Sequence, residues 1–392
     1  MNLSTKQQLF LDRVEEGGNI YLTGKAGTGK TFIVKEAISQ LKAAGKKVAA
    51  IAPTGIAANN LEGQTIHSLF SITPAGVATF ETSTFIDSRR RQLLRNIEVL
   101  VIDEVSMLRP DVLDAINWTL IKNGCGPLAT RQVIFVGDLK QLPPVLDDNT
   151  RSVLYQTYDG EAFFHAKAYL KLAVETIELD EVLRQSDEEF IAHLNIIREG
   201  GKSDYFRQFL NADPDGVILA PHNATVQRYN EQGLTAQPGE LHTFTAQVEG
   251  ELKVSDFGLE EVLRVKNGCK VMYLVNSQNN PLCNGTLGTF VTHAGCHYIR
   301  VNNTDFALEP VKITKKQYVY NEEKDALELL EIGSIEQLPI RLAYALSIHK
   351  SQGLTFEKVT LDLTRPCFQP GQMYVALSRV KTPGGLRIVV NR

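Results

Sequence analysis

Short apolar runs alternate with helical patterns through the first half of the chain. Asn19–Thr23 (NIYLT), Lys47–Ala52 (KVAAIA), Glu98–Asp103 (EVLVID) and Gln132–Val136 (QVIFV) read as strands with almost continuous apolar character. Strands without a polar face, separated by helices, predict a parallel sheet covered on both sides. One helix follows the first strand after a glycine-rich loop and runs to about Ala43, where Gly45 punctuates. Another spans Asp111–Lys122, with Val112, Leu113, Ile116, Leu120 and Ile121 on one face. Trp118 and Met107 are expected in the same core.

Between about Leu69 and Asn96 this pattern breaks. Pro74, Gly76 and several Ser and Thr precede Arg89, Arg90, Arg91 and Arg95, which reads as an excursion from the sheet. The arginines fit either a solvated helix face or a contact to a phosphate backbone. A second unit starts after about Lys167. Phe190, Leu194 and Ile197 mark a helix, and Val217–Ala220 (VILA) marks a strand. From about Gln247 to Gln337 the runs CKVMYLV, GTLGTFV, HYIRV and QYVYN predict a small all-β insertion. An amphipathic helix around Ala343–Lys350 and strands at Val359–Leu363 and Leu386–Val390 then restore the α/β character. The expected organisation is a first domain over 1–166 with its excursion at about 69–96. A second domain takes 167–246 and 337–392, and the β insertion takes 247–336.

Composition narrows the class. With 392 residues, 43% hydrophobic and 22% charged, the chain is globular and long enough for a large core. Lys and Arg number 41 against 45 Asp and Glu, a formal charge of -4, which excludes a uniformly basic surface but not a basic cleft. The five cysteines (Cys125, Cys269, Cys283, Cys296, Cys367) are odd in number and form no CxxC pair, so free thiols in a reducing compartment are expected. Cys296 and His297 lie near His293 but lack the paired spacing of a zinc site. The polar, amphipathic N-terminus is unlike a signal peptide. No apolar run reaches the ~18 residues that cross a membrane. A soluble cytoplasmic protein with no membrane partner is the expectation.

The chemistry starts with Gly24-Lys25-Ala26-Gly27-Thr28-Gly29-Lys30-Thr31, which fits GxxxxGK[ST] between a strand and a helix. Glycines let backbone N–H groups turn inward as an anion nest at a helix N-terminus. Lys30 would reach the β- and γ-phosphates, and the Thr31 hydroxyl would ligate Mg²⁺. Asp103-Glu104 closes a strand where open parallel sheets bind ligands. Asp103 would hold Mg²⁺, directly or through water, and Glu104 would act as general base on the attacking water. Gly137-Asp138-Leu139-Lys140-Gln141 ends the next strand, placing Gln141 toward the γ-phosphate or that water.

In order, the segments GKAGTGKT, APTGIAA, TIHSLF, VIDEVSML, GDLKQLPP, VLRQSD, HKSQGLTF and YVALSR resemble superfamily-one DNA helicases, and among them the Pif type (petite integration frequency), related to RecD. The motifs run from residue 3 to residue 380. The resemblance implies two RecA-like P-loop parallel-sheet domains with ATP between them. It makes the excursion a small wedge and the insertion a small β-barrel of the Src-homology kind. It places Gln7, in LSTKQ, on the adenine edge. It assigns Arg184 and Arg379 to the γ-phosphate, and Gly353, beside Gln352 and Thr355, to a backbone phosphate contact. For single-stranded DNA it implies Pro53, Thr54, Gly55, Thr65 and His67 in the first domain. In the second it implies Asn223, His349, Lys350 and Thr355. Two positions depart from the pattern. Leu183 stands where relatives often have an aromatic, and Pro127-Leu128-Ala129-Thr130 replaces a phenylalanine–glycine–glycine run. No accessory domain is expected after the last motif.

The expected activity is therefore ATP- and Mg²⁺-dependent unwinding of DNA by a monomer working at the nucleoid. Single-stranded and fork or duplex DNA are the partners, and 5′ to 3′ movement comes from the resemblance alone. The resemblance also suggests settings in repair, recombination and telomere maintenance. The alternative is a single-strand-stimulated ATPase that remodels protein–DNA complexes without unwinding. A small-molecule P-loop ATPase would leave HKSQGLTF and YVALSR unexplained. A non-catalytic adaptor is at odds with intact Lys30, Asp103, Glu104 and Gln141.

Overall fold

The computed structural model describes residues 3–73, 76–181, 185, 187–210, 215–250, 252–277 and 280–391. The chain divides into two compact units. The first comprises Met1–Arg184 and Lys316–Glu331, the second Gln185–Lys315 and Ile332–Arg392.

The first unit is built on a six-stranded sheet of β1 (Asn19–Gly24), β2 (Val48–Ala52), β3 (Gln64–Thr65), β4 (Val99–Ile102), β5 (Gln132–Val136) and β6 (Val174–Leu179), in the order β3-β2-β4-β5-β1-β6. Every pairing is parallel. The strands alternate their side chains between two cores. Ile20, Leu22, Val48, Ala50, Val99, Val101, Ile134 and Val136 pack with α1 (Thr5–Glu15) and α2 (Lys30–Ala43). The short helix α3 (Gly55–Asn60) follows β2. On the other face Tyr21, Ala49, Ile51, Leu100, Ile102, Val133 and Phe135 pack with α4 (Ile66–Phe70), α5 (Ser88–Asn96) and α6 (Pro110–Lys122). Both faces are thus apolar, as the uninterrupted strand sequences predict.

Several boundaries shift from the expected ones. Val174–Leu179 pairs with β1 along its whole length, so the first unit runs to 184 rather than 166. The excursion is also shorter than 69–96, because Leu69, Phe70, Leu93 and Leu94 are core residues. The helix α6 tethers what remains. Asp111 accepts from Ala78 N–H at 2.7 Å, Arg109 Nη2 donates to Gly76 O at 2.6 Å, and Asn123 Oδ1 accepts from Ile86 N–H at 3.1 Å. Of the four arginines, Arg90 donates to Ser71 Oγ, while Arg89, Arg91 and Arg95 are exposed on α5.

The second unit holds a four-stranded parallel sheet, ordered Ala345–Ser347, β7 (Val217–Ala220), Val359–Asp362, Leu386–Val389. The helix expected at Ala343–Lys350 is instead this short strand followed by a 3₁₀ turn at His349–Ser351. Arg341–Ala343 and Ala345–Ile348 are buried and leave no polar face, so sheet pairing wins over helical periodicity. The insertion is antiparallel, and it is wider than 247–336. Leu241–Thr245 pairs with Val262–Lys266, and Ile340–Leu342 pairs with Lys270–Tyr273. Its core includes Leu263, Val265, Val271, Phe290, Ile299 and Ile340. Among the described residues no helix is long and apolar enough to cross a membrane.

Residues 316–331, the tip of the hairpin formed by Val311–Asn321 and Ala326–Gln337, belong to the first unit. The strand β3 pairs with β2 only from Ile51 onward, which leaves the earlier edge of β2 open. Tyr318 fills that gap. It is 3% exposed, its hydroxyl accepts from Ala50 N–H at 3.1 Å, and its own N–H donates to Gln64 Oε1 at 3.1 Å. Lys47 Nζ meets Asp325 Oδ1 at 2.7 Å beside it. Tyr318→Ala is expected to destabilise the first unit by about 3–5 kcal/mol, through the cavity it leaves. Tyr318→Phe should cost about 1–3 kcal/mol by leaving Ala50 N–H unpaired. Thermal unfolding followed by circular dichroism should rank wild type, Phe and Ala in that order; three coincident transitions would refute the edge-capping role.

Candidate ATP site and nucleic-acid-gripping loops

Parallel topology brings three loops to one edge. The strand β1 neighbours β5, and β5 neighbours β4, with Leu22 opposite Val136 and Ile102 opposite Phe135. The P-loop, Asp103-Glu104 and Gly137–Gln141 therefore leave adjacent strand ends on the same side.

In the P-loop, Gly24, Gly27 and Gly29 have φ of 149°, 84° and 81°. A Cβ on Gly24 would lie 2.6 Å from Leu179 O, so both backbone angle and space demand glycine there. Gly29 caps α2 without any side-chain hydrogen bond, whereas Ser4, Thr54, Thr65 and Asp87 cap their helices with side-chain oxygens. A helix N-terminus without a side-chain cap suits an anion. Lys30 Nζ donates to Gly24 O at 2.7 Å and Lys25 O at 3.0 Å, which holds the ammonium over the loop. Ala26 and Thr28 are buried and brace it, with Thr28 Oγ1 donating to Lys25 O at 3.0 Å, while the Thr31 side chain is exposed.

Asp103 is 8% exposed at the end of β4. Burial first, then the neighbouring Glu104 charge, push its carboxyl well above the usual range; Glu104 N–H and the Lys30 charge act against them. Glu104 N–H donates to Asp103 Oδ1 at 2.8 Å. Glu104 itself sits at φ 51° and ψ 43°, a left-handed conformation costing of order 1–3 kcal/mol for a non-glycine residue. This twist turns its side chain away from the strand path. Gly137 packs against the same turn, where a Cβ would meet Val105 N at 2.9 Å. Gln141 is buried, and its N–H donates to Asp138 O at 2.9 Å. Asp138, which the sequence reading left without a role, is also buried and accepts from Lys140 N–H at 3.1 Å, so it shapes the loop that presents Gln141. The oxygen donors of Thr31 and Asp103 are of the hard type that suits Mg²⁺.

Gln7 is buried on α1 and shares a capping box with Ser4, its Oε1 accepting from Ser4 N–H at 3.0 Å. Its NH₂ is the half that this box does not use. Thr54 and Thr65, half-buried like Pro53 and Gly55, accept from Ala57 N–H and Ser68 N–H, each at 3.3 Å. Each hydroxyl accepts in these bonds and keeps a proton that it can donate. His67 is held below the usual histidine value by burial and then by Arg109, so it is neutral near pH 7.

In the second unit Arg379 is 1% exposed. Its Nε donates to Val375 O at 2.8 Å, its Nη1 to Leu354 O at 3.2 Å, and its Nη2 to Ser378 Oγ at 2.7 Å. Gln185 Nε2 donates to the carbonyls of Ser378 and Val380 that flank it, at 3.1 and 3.2 Å. This ties Gln185 to the ALSR segment; Arg184, like Leu183, lies outside the described residues. Gly353 needs its φ of 79° rather than space, since a Cβ there would touch nothing within 4 Å. Thr355 is half-buried beside it. Asn223 opens the helix Asn223–Ala236. His349 Nε2 donates to Gln369 Oε1 at 3.1 Å, and Lys350 is pushed below the usual lysine value by desolvation and then by Arg341, against the pull of Glu260.

A model of PIF1-like helicases matches residues 2–216. The ATP-dependent DNA helicase PIF1 of Rattus norvegicus is 33% identical over 99% of this chain. The chain belongs to the PIF1-like helicase family. It spans 61% of the length of that rat relative. Bacteroides sp Pif1 in complex with ADP-AlF4 superposes with a TM-score of 0.88 at 32% identity, covering 99% of this chain and 92% of that one. Bacteroides Pif1 bound to ssDNA gives 0.70 at 33% identity, with the same coverage. Both units accordingly carry the RecA-like α/β fold of the family, and the antiparallel sheets are its insertion. Residues outside the motifs escaped the sequence reading. His222 precedes Asn223, and Gln372 is fully buried at the start of the helix Gln372–Leu377.

Glu104→Gln keeps the size and the backbone turn but removes the carboxylate. It is expected to retain nucleotide affinity while lowering turnover by about 10²–10⁴, as read by steady-state phosphate release beside equilibrium binding of a fluorescent nucleotide. Parallel loss of binding would show that Glu104 supports the loop instead.

Proposed function

We propose that this chain is an ATP-dependent DNA helicase that moves 5′ to 3′ along single-stranded DNA as a monomer and opens the duplex ahead. The observation that carries the reading is the convergence of the P-loop, the buried Asp103 with the twisted Glu104, and Gln141 on three adjacent strand ends. Family membership supports the coupling to DNA.

In this reading the α2 N-terminus and Lys30 hold the triphosphate, and Gln7 addresses the adenine. Glu104 takes a proton as a water oxygen attacks the γ-phosphorus, the bond to the ADP oxygen breaks, and Gln141 orients that water. Arg184 and Arg379 offset charge on the transferring group, and Gly353 contributes a backbone N–H. Mg²⁺, held by Thr31 and Asp103, supplies neutralisation of phosphate charge when bound. Pro53, Thr54, Gly55, Thr65 and His67 grip the strand from the first unit; Asn223, His349, Lys350 and Thr355 grip it from the second. Alternating grip coupled to hydrolysis gives movement.

The decisive measurement is ATP turnover with and without a single-stranded oligonucleotide, paired with strand separation on forks bearing one 5′ or one 3′ tail. Turnover should rise with the oligonucleotide, only the 5′-tailed fork should open, and Lys30→Ala should abolish both. Turnover indifferent to DNA would point to a small-molecule ATPase. Stimulated turnover with neither fork opened would favour the translocase that displaces proteins. Affinity for the single strand should fall with log salt, at about -0.7 per phosphate contacted; a flat response would contradict backbone gripping.

A further inference from the structure

One aromatic side chain outside the motifs stands beside the second unit's candidate DNA residues. Phe368 is 55% exposed, in the loop between the strand Val359–Asp362 and the helix Gln372–Leu377. Two imidazoles lie near its ring. The centroid is 5.0 Å from that of His222, tilted by 38°, and 6.2 Å from that of His349, with the planes 24° apart.

The loop is held from several sides. His222 Nε2 donates to Pro366 O and His349 Nε2 to Gln369 Oε1, each at 3.1 Å. The N–H groups of Phe368 and Gln369 both donate to Gln372 Oε1, at 3.0 and 3.3 Å, and Gln372 is fully buried. The loop backbone that carries the ring is therefore held before any ligand arrives, yet Phe368 is more than half exposed. A large apolar side chain ordinarily gains by burial, so a rigidly held exposed ring is suited to a partner with a flat apolar face.

The surroundings select that partner. Asn223 follows His222 at the start of its helix, and Lys350 follows His349. A π surface next to an amide, an imidazole and an ammonium matches one nucleotide unit, with the base on the ring and the phosphate on the polar groups. We propose that Phe368, flanked by His222 and His349, is a stacking platform for a base of single-stranded DNA. This rests on the single-strand reading above and adds a contact that reads the base face rather than the backbone. Every base has a π face, so the contact adds affinity without sequence preference and without a salt slope of its own.

The test compares wild type, Phe368→Ala and Phe368→Trp by fluorescence anisotropy on labelled oligothymidine and on an abasic strand of equal length. Phe368→Ala should bind oligothymidine about tenfold more weakly, Phe368→Trp should keep or exceed wild-type affinity, and all three should bind the abasic strand alike. Salt slopes should stay equal for wild type and Phe368→Ala, whereas Lys350→Ala should flatten the slope. A 2-aminopurine strand should be quenched by wild type and less so by Phe368→Ala. Equal loss on both strands would mean that Phe368 only shapes the loop, and unchanged affinity on oligothymidine would mean that no base stacks there; either overturns the proposal. Wild type that binds neither strand would instead remove the DNA reading on which it rests.

Discussion

The structure depends on one constraint of chain direction. In a parallel sheet every strand must return, through a helix, to start again from the same end, so all the strand C-termini share one edge. The four central strands here are apolar on both faces, and helices cover both. That edge is then the place where the backbone can expose polar groups without breaking the core. Lys30, Asp103, Glu104 and Gln141 are far apart in sequence and reach one edge because β1, β5 and β4 are consecutive neighbours in the sheet.

The same edge is where local stability gives way to chemistry. Ser4, Thr54, Thr65 and Asp87 cap their helices, but α2 begins with glycine and keeps its first N–H groups uncapped. Asp103 is a buried carboxyl beside a second acid, a position in which its charge is disfavoured until a cation joins it. Glu104 holds a left-handed backbone that most residues avoid. Each feature lowers the stability of the isolated protein, and each leaves a polar group at this edge. They persist because the sheet on either side over-determines the loop positions.

The inserted β region contributes to the first unit as well as to its own core. Tyr318 completes an edge that β3 is too short to cover, and Lys47 pairs with Asp325 next to it. Capping by a buried tyrosine also blunts an open strand edge that could otherwise pair with another chain. The loop bearing Phe368 follows a similar logic on the opposite unit. A buried glutamine and two histidines fix a short segment, so that its exposed ring is positioned by packing and not by its own helix or strand.

Local sequence determined four of the six strands of the first sheet (β1, β2, β4 and β5), the P-loop and the acid pair at the end of β4. Continuous apolar runs, an alternation of burial and a glycine spacing carry those features within a few residues of themselves. The run at Ala343–Lys350, read as an amphipathic helix, folds as a strand and a 3₁₀ turn, because a fully buried strand and a buried helix have the same composition. The extent of the first unit, the place of Tyr318, the role of Asp138 and the aromatic cluster around Phe368 were decided only by the folded chain. Their partners lie tens to hundreds of positions away, and a hydrogen bond or ring contact between such residues leaves no periodic trace in either segment.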